Sequence, residues 1–199
     1  MTDYNLVKQL FKIRTTSIEM ISDRGYTVPD HIKNLQFENY RLLYESKNID
    51  ISFSDGDNNI YVYYHIDDIK NLGKNDLKTL VRNIHEDTKN LKTLIIIVLN
   101  GKPNSSVKKE LQNEIYKYTE VFERKNLVFN ISKHVLVPKH ILLTDEEKKD
   151  IMEKYNTTED QLPKMKITDP MAKYLGLKLG NVCKIMRKTP YYRIIVNDV

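Results

Sequence analysis

Apolar residues recur at helical spacing from the start of the chain. Leu6, Leu10 and Ile13 share one stripe, with Val7, Ile18 and Ile21 beside it, which predicts an amphipathic helix over residues 3–23. Gly25 supplies its stop. Pro29-Asp30 opens a second helical pattern whose apolar members are Ile32, Leu35, Leu42 and Leu43. The period then changes to two. Ile49, Ile51 and Phe53 alternate with polar residues, Asp55-Gly56 is a strong hairpin signal, and residues 60–66 read as the returning strand. Tyr61, Tyr63 and Tyr64 along that strand are read as packing residues rather than base-stacking ones. Asn75 is placed to cap a third helix, with Leu77, Leu80, Val81, Ile84 and Leu91 on one face. Residues 93–99 are β-branched and apolar on both faces, as in a central strand. A turn at 100–103, a helix over 105–118 and a last strand at 127–131 complete an α/β layer with at least one crossover.

After Ile131 the elements become short and heavily punctuated, which places a domain boundary near Ser132 and divides the chain into residues 1–131 and 132–199. The second part reads as a small α+β domain with a mixed sheet. Its elements are a strand at 135–137, a helix at 145–155, a short helical turn, a strand at 165–167, a helix at 170–175 and strands at 182–187 and 191–196. Lys188-Thr189-Pro190 joins the last two as a tight hairpin. Thr144 with Glu147 forms a capping box. Asp169 is an N-cap with Pro170 at the first helical position, and Gly176 stands where a left-handed residue ends that helix. Gln161 closes a turn.

Composition narrows the function without choosing it. The formal charge is +5, carried unevenly: residues 1–131 hold 19 Lys and Arg against 18 Asp and Glu, and residues 132–199 hold 13 against 9. A modest basic excess suits nucleic acid or an acidic protein face, and equally a surface that is merely solubilised. The single cysteine excludes an intramolecular disulfide framework and a cysteine-based zinc site. No signal-peptide pattern opens the chain, and its longest apolar run is far shorter than a membrane span, so an intracellular, soluble protein with no membrane contact is expected.

Phosphate-loop, dinucleotide, serine-hydrolase and zinc-protease motifs are missing, and no cofactor, metal or catalytic residue is assigned. The five histidines lack metal-ligand spacing on one helix face. Pro29-Asp30 followed by Glu45-Ser46-Lys47 resembles the PD…ExK pattern of Mg-dependent nucleases, whose carboxylates hold a divalent cation while the lysine assists the attacking water. Both halves are read on one helix, a poor context for that chemistry. Lys102, Asn104, Ser105, Ser106, Lys108 and Lys109 cluster at a turn and helix start, a pattern shared by phosphate contacts and by ordinary solvated turns.

The string HVLVPKH, LTDEEK, YN, QLP, DPMAKYLGLKLG and VCKIMRK, in that order, resembles the small subunit common to eukaryotic RNA polymerases one, two and three, and its shorter archaeal counterpart, which consists of little more than this module. The likeness covers most of residues 132–193. Residues 1–131 fit the longer eukaryotic form in element order and in runs such as Asp23-Arg24-Gly25-Tyr26. The resemblance implies a non-catalytic subunit, one copy in a hetero-oligomer with other polymerase subunits. Residues 132–199 would be an assembly domain docked on the largest subunit through His134, Val137, Pro138, Lys139, His140, Gln161, Leu162, Pro163, Asp169, Pro170 and Arg187. Residues 1–131 would form a lower jaw whose 102–109 cluster lies near downstream double-stranded DNA, without sequence readout. The final hairpin is shorter than the family's, which carries a Ser-Glu-Thr-like segment there. A nuclear site, or a cytoplasmic viral factory or virion for a viral member, goes with that reading. A free-standing DNA-binding adaptor and the nuclease stand as alternatives.

Overall fold

The computed structural model describes residues 4–66, 72–89 and 92–197. The chain separates into two units, Met1–Phe129 and Asn130–Val199. In the first, helix α1 (Tyr4–Asp23) buries Val7, Leu10, Ile13, Ile18, Met20 and Ile21 along one stripe. It stops at Gly25, whose φ of 93° lets its N–H reach the Ser22 carbonyl while the Tyr26 N–H reaches that of Ile21.

The expected second helix is two: α2 (Asp30–Lys33) and α3 (Phe37–Glu45), separated at Asn34 and Gln36. Ile32 and Tyr40 are the buried residues of these helices, whereas Leu42 is 60% exposed, so no single apolar stripe runs through both. Edge-on contacts of Phe11 with Phe37 and a tilted one with Tyr40 seat α3 on α1.

The hairpin forms as expected, with β1 (Ile51–Asp55) antiparallel to β2 (Asn58–Tyr64) and Gly56 at φ 59° in the turn. Helix α4 (Lys74–Thr88) begins one residue earlier than its expected cap. Gly73 precedes it, and the Asp76 carboxylate accepts the Gly73 N–H at 3.1 Å, which leaves Asn75 inside the helix. Leu91 lies outside the described residues. Strand β3 (Leu94–Leu99) is buried throughout and lies parallel to β2 on one side and to β4 (Thr119–Glu123) on the other.

Two expectations fail between β3 and the end of this unit. Helix α5 covers only Ser105–Glu110, followed by a turn and a 3-10 helix at Glu114–Tyr116. A helix continuing inward from Val107 would bring Glu114 to the core; the break turns Tyr116 inward instead and leaves Ile115 72% exposed. The last strand is β4 rather than 127–131. As an edge strand with one buried residue, Phe122, it has too few apolar residues to announce itself. Leu127 is buried from a 3-10 turn, not from a strand.

Register assigns the two faces of the sheet. Ile95, Ile97 and Leu99 pack with Leu77, Val81 and Ile84 of α4, Val107 of α5 and Tyr116, with Tyr61, Tyr63 and Val121 alongside on neighbouring strands. Two parallel crossovers running the same way along the sheet put both helices on one face. The opposite face carries Ile60, Val62, Tyr64, Ile96, Val98 and Phe122. Arg24 just beyond α1 meets Glu120 of β4 there at 2.7 Å.

The second unit is a mixed sheet in the order β5-β7-β8-β6, from β5 (His140–Leu142), β6 (Lys164–Lys166), β7 (Val182–Ile185) and β8 (Tyr191–Val196). β6 runs parallel to β8 and the other pairs are antiparallel. Helix α6 (Asp145–Lys154) and the 3-10 turn Glu159–Gln161 bring Ile151, Met152 and Leu162 onto Leu143, Val182 and Ile194. Helix α7 (Pro170–Tyr174) ends in a Schellman motif: Gly176, at φ 64°, donates to the Lys173 carbonyl and Leu177 to that of Ala172. The strand expected at 135–137 is absent. Residues 134–137 make a turn in which Val137 N–H reaches the His134 carbonyl, Pro138 has no N–H for a ladder, and pairing starts only at His140. The final hairpin leaves five residues, 186–190, between the paired Ile185 and Tyr191, so Met186 and Arg187 lie in the loop rather than in β7. No helix among the described residues is long and apolar enough to cross a membrane.

Candidate functional site

In the first unit the sheet's parallel strands deliver residues 100–110 from the carboxyl end of β3. Asn104 adopts extended backbone before α5, and its carbonyl accepts the Lys108 N–H. Lys102, Asn104, Ser105, Ser106, Lys108 and Lys109 are all exposed. What fixes this segment is Glu110, 8% exposed and held by Lys74 at 2.9 Å and Lys78 at 3.4 Å from α4. The hydrogen bond from Lys74 keeps the Glu110 carboxyl below the usual carboxylate range. Glu110 thereby balances one of the two positive charges of Lys74 and Lys78. Lys102, Lys108 and Lys109 have no ion pair among the described residues, so the segment presents uncompensated positive charge on a braced helix. Sequence pattern picked out these six residues; it did not pick out Glu110, whose role depends on a helix thirty residues upstream.

The PD…ExK candidates separate. Asp30 begins α2, Glu45 ends α3, and Lys47 follows at φ 58°. Among the described residues no group of three His, Cys, Asp or Glu is placed to hold a metal ion.

In the second unit the candidates split into residues that build the module and residues that face outward. Leu162 is buried in the core. The Gln161 side chain accepts the Thr158 N–H, the Pro163 carbonyl accepts the Ile194 N–H, and Asp169 accepts the Met171 N–H at 2.8 Å beside Pro170. Val137 and Pro138 are half-buried. His140 bonds the Pro138 carbonyl through Nδ1, and His134 Nδ1 accepts the Leu136 N–H. His134, Lys139 and Arg187 are exposed.

The same turn carries the residues that sequence reasoning missed. Val135 is 93% exposed and Leu136 82%. Met186, whose N–H bonds the Lys139 carbonyl, Leu142 on β5 and Tyr191 on β8 are also exposed. β5 is itself an edge strand of the sheet. Scattered surface hydrophobics need no explanation, but Val135 and Leu136 are consecutive and lie just before an edge strand. The available signal was the apolar run Val135-Leu136-Val137 between His134 and Pro138, which imitates a strand until the proline is given its weight.

Comparison with known proteins matches residues 5–84 to the family model "RNA polymerase Rpb5, N-terminal domain" and residues 129–196 to "RNA polymerase Rpb5, C-terminal domain". The chain is 32% identical over 182 residues to the subunit rpabc1 of DNA-directed RNA polymerases I, II and III of Dictyostelium discoideum, covering 91% of each. It is 33% identical to subunit 5B of DNA-directed RNA polymerases IV and V of Arabidopsis thaliana, covering 88% of this chain and 81% of the relative. To the subunit RPABC1 of Caenorhabditis elegans it is 30% identical, covering 94% and 96%.

Proposed function

The chain belongs to the RNA polymerase Rpb5 family, and from that membership we propose that it is a non-catalytic structural subunit of a multisubunit DNA-directed RNA polymerase. Its domains divide at about residue 131. The carboxy-terminal domain docks on the largest subunit, in one copy per complex and alongside other polymerase subunits. Docking uses His134, Val137, Pro138, Lys139, His140 and Arg187 around the bare pair Val135-Leu136, while Gln161, Leu162, Pro163, Asp169 and Pro170 hold that surface in shape. The exposure of two adjacent aliphatic side chains in a turn fixed by its own hydrogen bonds carries this assignment.

The amino-terminal domain forms part of the lower jaw. Lys102, Lys108 and Lys109, with Asn104, Ser105 and Ser106, contact phosphates of downstream duplex DNA without reading its sequence. The three uncompensated lysines support that role. Mechanism here is placement: the docked domain positions the jaw, and the chemistry belongs to other subunits. Its site of action is the nucleus, where polymerases with related subunits work.

Affinity purification under moderate salt tests the assignment. The largest polymerase subunit co-purifies if it is right, and its absence overturns it. Replacing Lys102, Lys108 and Lys109 with Gln leaves co-purification intact and, if each touches a phosphate, flattens the salt dependence of DNA binding by about 3 units of log–log slope. An unaltered slope would refute the jaw contact.

A further inference from the structure

The carboxy-terminal sheet has two edges, β5 and β6, and they are finished differently. An open strand edge is a template for another chain, and folded proteins blunt it with charge, a turn or a cover. β6 is blunted in two of these ways. Lys164 and Lys166 are exposed on either side of buried Met165. The Lys166 carbonyl is taken by the Asp169 N–H at 3.0 Å as the chain turns into α7.

β5 has neither protection. Two hydrogen bonds at its ends set the phase of its pairing with β7: Met186 N–H to the Lys139 carbonyl at 2.9 Å, and Leu143 N–H to the Val182 carbonyl at 3.0 Å. In an antiparallel pair, residues that bond the neighbouring strand alternate with residues whose N–H and C=O point the other way. Lys139, Ile141 and Leu143 therefore face β7, and His140 and Leu142 turn their N–H and C=O groups out of the sheet. None of those four groups has a hydrogen bond among the described residues. No lysine, arginine or carboxylate lies within β5. The His140 ring is turned back onto the Pro138 carbonyl at 2.7 Å, and Leu142 is exposed. The bare pair Val135-Leu136 stands just ahead in the chain.

We propose that β5 is completed by a strand from a partner: an extended segment of the largest polymerase subunit pairs with His140 and Leu142 and lays an apolar side chain against Leu142. This rests on the docking reading given above and adds the mode of docking to it. The edge itself specifies the occupant. Its outward N–H and C=O groups repeat every second residue, at about 6.8 Å. An extended backbone matches that repeat, whereas a helix has already bonded its own N–H and C=O groups internally. The contrast with β6 locates the contact, because only the β5 edge combines open backbone groups with exposed apolar side chains.

Amide-resolved hydrogen exchange on the full chain, alone and within the polymerase, is the direct test. The His140 and Leu142 amides exchange fast in the free chain and become protected in the complex. If the largest subunit does not accompany the chain, the docking reading fails and this proposal with it. If it does and the two amides exchange as fast as before, docking stands and the added strand is refuted. Protection of both amides in the concentrated free chain would mean pairing with a second copy, and also overturns it. Leu142→Pro supplies a second test, since it removes one outward N–H at a position where an edge strand tolerates proline. It binds the largest subunit about 5- to 150-fold more weakly than Leu142→Ala, which loses the side chain and keeps the N–H, because a carbonyl of the added strand is left buried and unpaired. Equal affinities of the two folded variants overturn the proposal, and if the proline variant does not fold the exchange data still decide.

Discussion

Val135 and Leu136 allow docking to be separated from folding. Both are nearly bare, at 93% and 82% exposure, so replacing them with Asp removes almost no buried contact from the isolated chain. Substitutions at such positions change stability by about 0.5 kcal/mol or less. A partner that covers them gains about 1.5–3 kcal/mol for each aliphatic side chain. The double variant Val135→Asp, Leu136→Asp therefore loses about 3–6 kcal/mol of docking free energy, a fall of about 10²- to 10⁴-fold in affinity, before any cost of burying a carboxylate. The assay pairs two readouts: recovery of the largest polymerase subunit with tagged chain, and thermal unfolding of the same chain alone. Recovery should collapse while the melting curve stays in place. Undiminished recovery with an unchanged melt would move the docking face elsewhere. A melt lowered by many degrees would mean that these side chains hold the fold, and would sink the argument from exposure.

Two further outcomes follow from the amino-terminal unit. Burial raises the Asp50 carboxyl above its ordinary range, against the lowering effect of hydrogen bonds from the Tyr64 N–H and the Tyr61 hydroxyl. A carboxyl whose folded pKa exceeds its unfolded one favours the folded state more as pH falls through the folded value. Asp50→Asn should therefore be more stable than the parent at neutral pH, with the gap in denaturant midpoint shrinking as pH falls; a gap that widens on acidification contradicts the sign. Arg24 and Glu120 pair at 2.7 Å with side chains only 6% and 16% exposed. Glu120→Gln should cost about 1.5–3 kcal/mol in chemical denaturation because it removes the carboxylate from a charge-assisted hydrogen bond to a mostly buried guanidinium. A double-mutant cycle with Arg24→Met should return a coupling of at least about 1 kcal/mol; additive losses would show that the two groups act independently.

The elements legible in the sequence were those whose signal is local. The stripe of α1, the Asp55-Gly56 hairpin, the wholly apolar β3, the Thr144–Glu147 box and the Asp169-Pro170 start all depend on neighbours within a few residues, and each is present. The misreadings share another cause. Residues 29–45 and 105–118 contain enough apolar residues for one helix each, but which of them turn inward is decided by α1, α4 and the sheet. β4 is polar because an edge strand buries little, and residues 135–137 are apolar without being in a strand at all. The cluster at 102–109 was visible as composition. Glu110 as its brace was not, because Lys74 and Lys78 reach it from an element far away in the chain.

The density of caps in the carboxy-terminal unit follows from its size. Residues 130–199 make a small unit, whose buried apolar residues include Leu143, Leu162, Val182 and Ile194 in one cluster and Met165, Met171, Leu177 and Ile195 besides, and a core of that size supplies only a few kcal/mol. Local terms must supply more of the specification. Thr144 and Glu147 exchange hydrogen bonds at 2.8 and 3.2 Å, Gln161 accepts the Thr158 N–H, Asn181 accepts the Lys178 N–H at 2.7 Å, and Gly176 closes α7. A cap of this kind is worth about 1 kcal/mol, so several together rival a buried aliphatic side chain or two. Meanwhile Val135, Leu136, Leu142 and Met186 stay outside the core. A domain that relied on apolar burial alone could not leave those side chains exposed. Specifying its backbone by caps and turns lets it keep those apolar side chains at the surface, where the proposed docking would cover them.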